Sequence, residues 1–350
     1  MSKVDDRESD FKDIDAQISV ADEAERFIKD PSVFFDSLIE RRAKIDEGIK
    51  LPWRSLDEKL SLREGEVIVI AGPSGHGKSM NTNHICHHAM VNGTRVGIAS
   101  LELQAEDLLE QFCEFSAARA RPEPEYVKRY LDWADGRLHI YNVTSTIAPY
   151  DAIRMCIRMA EMQCKLIVLD CLMMMNLSDD SRGNENRVER DFMATLNAIA
   201  KKYNVSIVLV HHIRKPDGKS ENVVPNMHSL LGSSMITNMA STVIIFFMFM
   251  EQVQARKMRE PPTTLSNGKP YDRTARDAVL KVVKQRNNAW NGAIRLWQCD
   301  NHRAFIDDHS GWDVALPKYV GPPQGKRTRA PQRFPGDGFK PEVVESTVNG

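Results

Sequence analysis

The chain has almost no net charge: 47 basic residues against 48 acidic ones leave −1 at neutral pH over 350 residues. No global field therefore draws it to nucleic acid or to an anionic membrane, and any polyanion must be met by a local patch. A C-x-x-C pair is also lacking. The six cysteines, Cys86, Cys113, Cys156, Cys164, Cys171 and Cys299, are scattered through segments that otherwise read as core. Such spacing argues against a disulfide framework and reads as reduced, buried thiols of a cytoplasmic protein. The opening Met1-Ser2-Lys3-Val4-Asp5-Asp6 has neither the basic start nor the apolar stretch of a signal peptide. Long hydrophobic runs are missing too. The longest strongly apolar one, Val243–Met250, is far below the roughly 20 residues of a membrane-spanning helix and reads as a strand buried on both faces, so no membrane partner is expected. No internal repeat is detectable.

What is present is a complete phosphate-binding pattern. Gly72-Pro73-Ser74-Gly75-His76-Gly77-Lys78-Ser79 fits G-x-x-x-x-G-K-[ST] and directly follows the apolar run Val67-Ile68-Val69-Ile70-Ala71. A strand, a glycine-rich turn and a helix in that order aim several backbone N–H groups and a helix N-terminus at one point, where a polyphosphate can sit. The expected nucleotide-binding residues are Gly72, Ser74, Gly75, His76, Gly77, Lys78 and Ser79, with Lys78 reaching the β- and γ-phosphates. The Ser79 hydroxyl is expected on the Mg2+ that accompanies ATP.

Around this loop the chain divides into head, engine and tail. Residues 1–50 form an N-terminal extension, and Ala24–Glu47 carries apolar positions at helical spacing, Phe27, Val33, Phe34, Leu38, Ile39 and Ile45. Its helices either cover the main domain or pack against a neighbouring subunit. Residues 51–310 are the main domain. There, helical segments alternate with strand candidates at Val67–Ala71, Val96–Ser100, Leu166–Leu169, Ile207–Val210, Val243–Phe249 and Val279–Lys284. That alternation predicts an α/β fold with a mostly parallel central sheet flanked by helices. Residues 311–350 hold Pro317, Pro322, Pro323, Pro331, Pro335 and Pro341 and a basic patch of Lys326, Arg327, Arg329 and Arg333, the composition of a disordered tail.

In open α/β sheets ligands bind at the carboxyl ends of strands. After Val96–Leu101 comes Glu102, which could orient and deprotonate an attacking water or could merely favour a helix dipole. After Leu166–Leu169 comes Asp170, a second magnesium-positioning group beside a phosphate loop. After Ile207–Val210 come His211 and His212, read either as a γ-phosphate sensor, His212 above all, or as a strand cap. After Val279–Val283 come Lys284 and Arg286, one residue apart and hence on one side of an extended chain, which either neutralise charge on the γ-phosphate from an adjacent subunit or form a basic surface end.

The order of these pieces carries a resemblance. The phosphate loop, Ala99-Ser100-Leu101-Glu102, Leu166-Ile167-Val168-Leu169-Asp170, Val210-His211-His212-Ile213-Arg214-Lys215-Pro216, Leu230-Leu231-Gly232-Ser233-Ser234 and Lys284-Gln285-Arg286-Asn287 together resemble the motif series of DnaB-type replicative helicases, those of tailed phages most of all. The similarity runs from about Leu51 to Asp308. It implies a RecA-like P-loop NTPase core, ATP and Mg2+ as cofactors, and a homo-oligomeric ring, usually of six subunits, around single-stranded DNA. Glu102 is then the catalytic base, Asp170 the metal carboxylate and His212 the phosphate sensor, with Lys284 and Arg286 acting across a subunit boundary. A primase, polymerase or helicase loader would be a separate protein.

A near-neutral chain can still hold DNA if a few contacts per subunit multiply around a ring. The expected contact element is Asn226–Asn238, including Gly232, Ser233 and Ser234, whose backbone N–H groups and hydroxyls can bind phosphate without reading bases. Leu231 stands where relatives often carry arginine and Ser241 where aspartate is common. A second candidate is Asn176–Arg190 with Arg182, Arg187 and Arg190, equally readable as a solvated loop. His84, Cys86, His87 and His88 cluster on the helix leaving the phosphate loop, yet a metal there would need further ligands from elsewhere. Trp290 and Trp297 flank an Asn-Gly pair and suit a β-hairpin near the sheet edge. Two other classes share the core: a RecA-type recombinase or recombination mediator, and a regulatory ATPase that binds no DNA.

Overall fold

The computed structural model describes residues 28–44, 48–175, 185–213, 224–225, 234–272, 274–299 and 302–307. The chain falls into two compact units, Met1–Gly48 and Ile49–Gly350. In the first, a single 3-10 turn, Pro31–Phe34, runs into helix α1, Phe35–Lys44. Proline opens the turn, where its missing N–H costs nothing. Ile28, Val33, Phe34, Phe35, Leu38 and Ile39 are all exposed.

The second unit is built on a nine-stranded sheet whose strands run in the order β11-β10-β9-β8-β3-β7-β6-β4-β5. A small antiparallel pair, β1 (Ile49–Lys50) and β2 (Ser61–Leu62), precedes it. The parallel part consists of β3 (Val67–Pro73), β4 (Val96–Ser100), β5 (Leu138–Tyr141), β6 (Leu166–Asp170), β7 (Ser206–Ile213) and β8 (Thr242–Met248). Strands β9 (Ala278–Gln285), β10 (Ala293–Gln298) and β11 (Phe305–Ile306) continue the sheet antiparallel.

Both faces are covered, which is why the central strands read as continuous apolar runs rather than alternating ones. Ile68, Ile70, Val168, Val208 and Val210 join a cluster with Ile85 and Met90 of α2 (Lys78–Val91), Phe112 of α3 (Ala105–Ala117) and Tyr130 of α4 (Pro124–Ala134). Their neighbours Val67, Val69, Ile167, Leu169, Ile207 and Leu209 join the opposite cluster, with Met155 of α5 (Pro149–Glu161) and Phe192 and Leu196 of α6 (Glu185–Tyr203). All six cysteines are free and buried. Short α7 (Ser234–Met239) and α8 (Met250–Lys257) flank β8. Among the described residues no helix is long and apolar enough to cross a membrane.

Two details differ from the sequence reading. The Asn291-Gly292 pair does not form a two-residue hairpin turn. The β9–β10 hairpin is joined by the longer stretch 286–292, and Trp297 lies inside β10. Strand β7 also runs further than expected, through His211, His212 and Ile213.

Candidate functional site

The turn after β3 places its glycines where only glycine fits. Gly75 and Gly77 have φ of +78° and +77°, the left-handed region that a Cβ disfavours. At Gly72 a Cβ would overlap the Phe246 carbonyl oxygen, so the loop lies against β8 only because no side chain is there. The His76 side chain turns inward, contrary to the outward role its place in the loop suggests. Its Nδ1 accepts a hydrogen bond from the Met248 N–H at 3.2 Å and its ring lies 4.7 Å from that of Phe247, pinning the loop to the end of β8.

Lys78, the first residue of α2, is 3 % exposed. Its ammonium donates to the Pro73 carbonyl at 2.8 Å and lies 3.3 Å from Nδ1 of His212. Burial pulls its pKa from 10.5 down to about 8, against the opposing pull of Asp170, Cys171 and Glu102. An ammonium can only donate, so Nδ1 of His212 is the acceptor and Nε2 carries the N–H. That N–H faces Oε1 of Glu102 at 3.6 Å. Burial, then the charge of Lys78, lower the His212 pKa, which keeps the ring neutral at pH 7.

Strand register explains the convergence. His212 stands opposite Gly72 across the β3–β7 pair, and Asp170 stands opposite Ser100 across β4–β6. Successive residues of a strand point to opposite faces, so His212 meets Lys78 and Glu102 while His211 faces the other way. His211 is pushed down to about 4, by burial first and then by His212 and Lys78.

Asp170 is 3 % exposed, and its pKa rises to about 6 because burial outweighs the stabilising hydrogen bond from Ser79. Its Oδ1 makes no hydrogen bond. A buried carboxylate oxygen without a partner, beside a serine hydroxyl at the mouth of a phosphate loop, is a hard-oxygen donor set that fits Mg2+. Glu102 sits in the connection between β4 and α3, two residues before the helix cap Gln104; the acids of the first turn are Glu106 and Asp107. The helix-dipole reading therefore belongs to those two, and the Glu102 side chain remains 40 % exposed, open to water.

One neighbour was missed in the sequence. Cys171 donates its thiol hydrogen to Oε1 of Glu102 at 2.9 Å. The signal was its place directly after Asp170, which the parallel register carries next to the end of β4.

Lys284 and Arg286 do not join this group. Strand β9 is antiparallel to β8, so its carboxyl end lies at the far end of the sheet from the phosphate loop. Lys284 is level with Val243, which pairs with Val69, four residues of strand or about 13 Å short of Pro73. There Nζ donates to the carbonyls of Thr237 and Asn238 at 2.9 and 2.7 Å, and Arg286 Nη2 donates to Asn238 at 3.4 Å. Both therefore cap the C-terminal end of α7. Burial and the nearby Arg286 lower the Lys284 pKa.

Of the expected DNA contacts, Gly232, Ser233 and Arg182 lie outside the described residues, as does the tail; Ser234 opens α7. Arg187 and Arg190 are on α6, each within 4 Å of Asp191. The histidine cluster of α2 is packed rather than arranged for a metal. His84 lies between Trp53 and Phe115, and Nδ1 of His87 is 3.1 Å from the Tyr130 hydroxyl.

Two solved structures share this architecture. One, of a protein's isolated ATPase domain, superposes with a TM-score of 0.64 at 10% identity over 80% of this chain and 100% of its own. The other, titled "The Structure Of A DnaB-Like Replicative Helicase And Its Interactions With Primase", gives 0.60 at 11% identity over 79% of this chain and 67% of its own. At such identities the likeness is one of fold, RecA-like with a mostly parallel sheet. No curated protein sequence matches the chain. Residues 48–307 match the family described as "DnaB-like helicase C terminal domain", about three quarters of the chain, and they contain every element built above except α1 and the turn before it. The chain belongs to the DnaB-like helicase family.

Proposed function

We propose that the chain is an ATP-hydrolysing DNA helicase that translocates on single-stranded DNA as a ring. The observation that carries this is the split placement of the chemistry. Lys78, Ser79, Asp170, Glu102 and His212 meet at one end of the sheet, while Lys284 and Arg286 stand at the other. A pair of cations that cannot reach its own phosphate loop suits one that serves the loop of an adjacent subunit.

In this reading ATP occupies the loop after β3. Lys78 leaves the Pro73 carbonyl and His212 for the phosphates. Burial costs its charge about 3 kcal/mol, which the phosphate charge offsets. Ser79 and Asp170 hold the Mg2+ that neutralises the triphosphate. Glu102, exposed to water, takes the proton of the attacking water. Lys284 and Arg286 of one subunit stabilise charge on the phosphate held by the next. Because both also hold the carbonyls at the end of α7, a pull toward a neighbour's phosphate loosens the end of the segment 226–238, which carries Gly232, Ser233 and Ser234 toward DNA. His212 links phosphate occupancy to the same loop through the chain that follows β7.

The domain plan in this reading is an extension over 1–50, a motor over 51–310 and a tail over 311–350. The exposed apolar face of α1 supplies subunit packing. Six copies around one strand, a cytoplasmic site of action in the host of a tailed phage, and a separate primase, polymerase or loader complete the proposal. The test is ATP hydrolysis with and without single-stranded DNA, together with unwinding of a forked duplex. DNA-stimulated hydrolysis with unwinding is expected from the wild type and neither from Lys78→Ala. Strand exchange without unwinding would favour the recombinase reading, and hydrolysis indifferent to DNA the regulatory one.

A further inference from the structure

We propose that Glu102, Cys171 and His212 form a binding site for a thiophilic divalent cation of the zinc class, and that filling it halts hydrolysis. One ligand atom from each lies within 4.8 Å of the others. Cys171 Sγ and Glu102 Oε1 are 2.9 Å apart, and His212 Nε2 and the same Oε1 are 3.6 Å apart. Zinc bonds of about 2.0–2.3 Å in a tetrahedron set neighbouring ligand atoms about 3.3–3.8 Å apart, so small side-chain movements suffice. The three residues arrive from three adjacent strands: Glu102 just past β4, Cys171 directly after β6 and His212 within β7. The partly exposed Glu102 leaves a path from solvent and room for water in a fourth position.

Ligand chemistry separates this site from the magnesium pair. Ser79 and Asp170 offer only oxygen, as Mg2+ demands, whereas thiolate, imidazole and carboxylate together are a zinc set. On binding, the Cys171 S–H bond breaks, an S–metal bond forms and one proton passes to solvent. His212 must ligate through Nε2, so its N–H moves to Nδ1 and the contact from Lys78 is lost. The site therefore forms best when a nucleotide phosphate has already drawn Lys78 away. Glu102 and His212 are then held by the cation; that consequence rests on the hydrolytic reading above, while the binding itself does not.

Cobalt(II) titration of the full chain, with and without Mg-ADP, reads the site directly. A sulfur-to-cobalt charge-transfer absorption is expected in the wild type at one cation per chain, strengthened by Mg-ADP and abolished by added zinc. Cys171→Ser keeps a hydroxyl donor to Glu102 and should lose the band at unchanged melting temperature. Zinc should inhibit wild-type ATP hydrolysis, and Cys171→Ser should need about tenfold more or higher. A band that persists in Cys171→Ser, or its absence from folded wild type, overturns the proposal. A Cys171-dependent band in a protein without ATPase activity would instead leave the site standing and remove the hydrolytic reading.

Discussion

Nucleotide affinity should fall as pH rises above 8, because Lys78 is charged when phosphate is bound but loses its proton easily when it is not. Without nucleotide its pKa is about 8, some 2.5 units below the ordinary 10.5, equivalent to about 3 kcal/mol. The sign follows from linkage: phosphate binds the protonated form, so the bound pKa lies above the free one, and binding takes up a proton wherever the free lysine is neutral. Affinity is then flat below pH 8 and weakens about tenfold per unit above it, until the bound-state pKa is reached. Between pH 7 and 9.5 the dissociation constant should rise about 30-fold. Neighbouring groups stay quiet across this window: Asp170 titrates at about 6, His211 at about 4 and Cys171 at about 12. Lys284, also lowered, is best replaced by arginine in the background used. Titration of a fluorescent ATP analogue at fixed free Mg2+ measures the slope, and calorimetry in buffers of different ionisation enthalpy counts the proton. Lys78→Gln should bind weakly and without slope. A wild-type constant that stays level from pH 7 to 9.5, or a Lys78→Gln variant with the same slope, would refute the reasoning.

Glu102→Gln should bind nucleotide as the wild type does while hydrolysis falls at least about 100-fold, measured by phosphate release. Arg286→Ala and Glu102→Ala subunits, each inactive alone, should recover activity when mixed, since an interface joining an intact Glu102 to an intact Arg286 then exists; no recovery at any ratio removes action across the boundary. Gly72→Ala should lower stability by about 3 kcal/mol in thermal melts, because its Cβ meets the Phe246 carbonyl, which is backbone and cannot swing aside. Acid should destabilise the fold. Burial holds His302 and His211 at about 4, so the unfolded chain takes up protons first, and up to about 3 kcal/mol per histidine is lost as pH falls from 6.5 to 4; melts at pH 7.5, 6 and 5 check this, and His302→Gln should flatten the slope.

The central strands were legible because burial on both faces leaves a continuous apolar run, and six candidates fell on six observed strands with ends shifted by one to three residues. Leu138–Tyr141 was not, because an edge strand half-exposed along its length carries no such run. Phe305–Ile306 is too short for a period to register. The phosphate loop could be read because its glycines answer to local backbone geometry. His76 shows the limit of that motif, since the pattern specifies the backbone and is silent about a side chain that turns inward to Met248.

Local chemistry is written in the order of residues, so the chain alone specified a phosphate loop, a parallel α/β core and the carboxylates near it. Direction and alternation are properties of paired strands, and they came from the folded molecule. The antiparallel turn of β9 carried Lys284 and Arg286 away from their own loop, and the register of β7 against β3 chose His212 over His211. The contact between Cys171 and Glu102, 69 residues apart, exists only because β4 and β6 lie side by side.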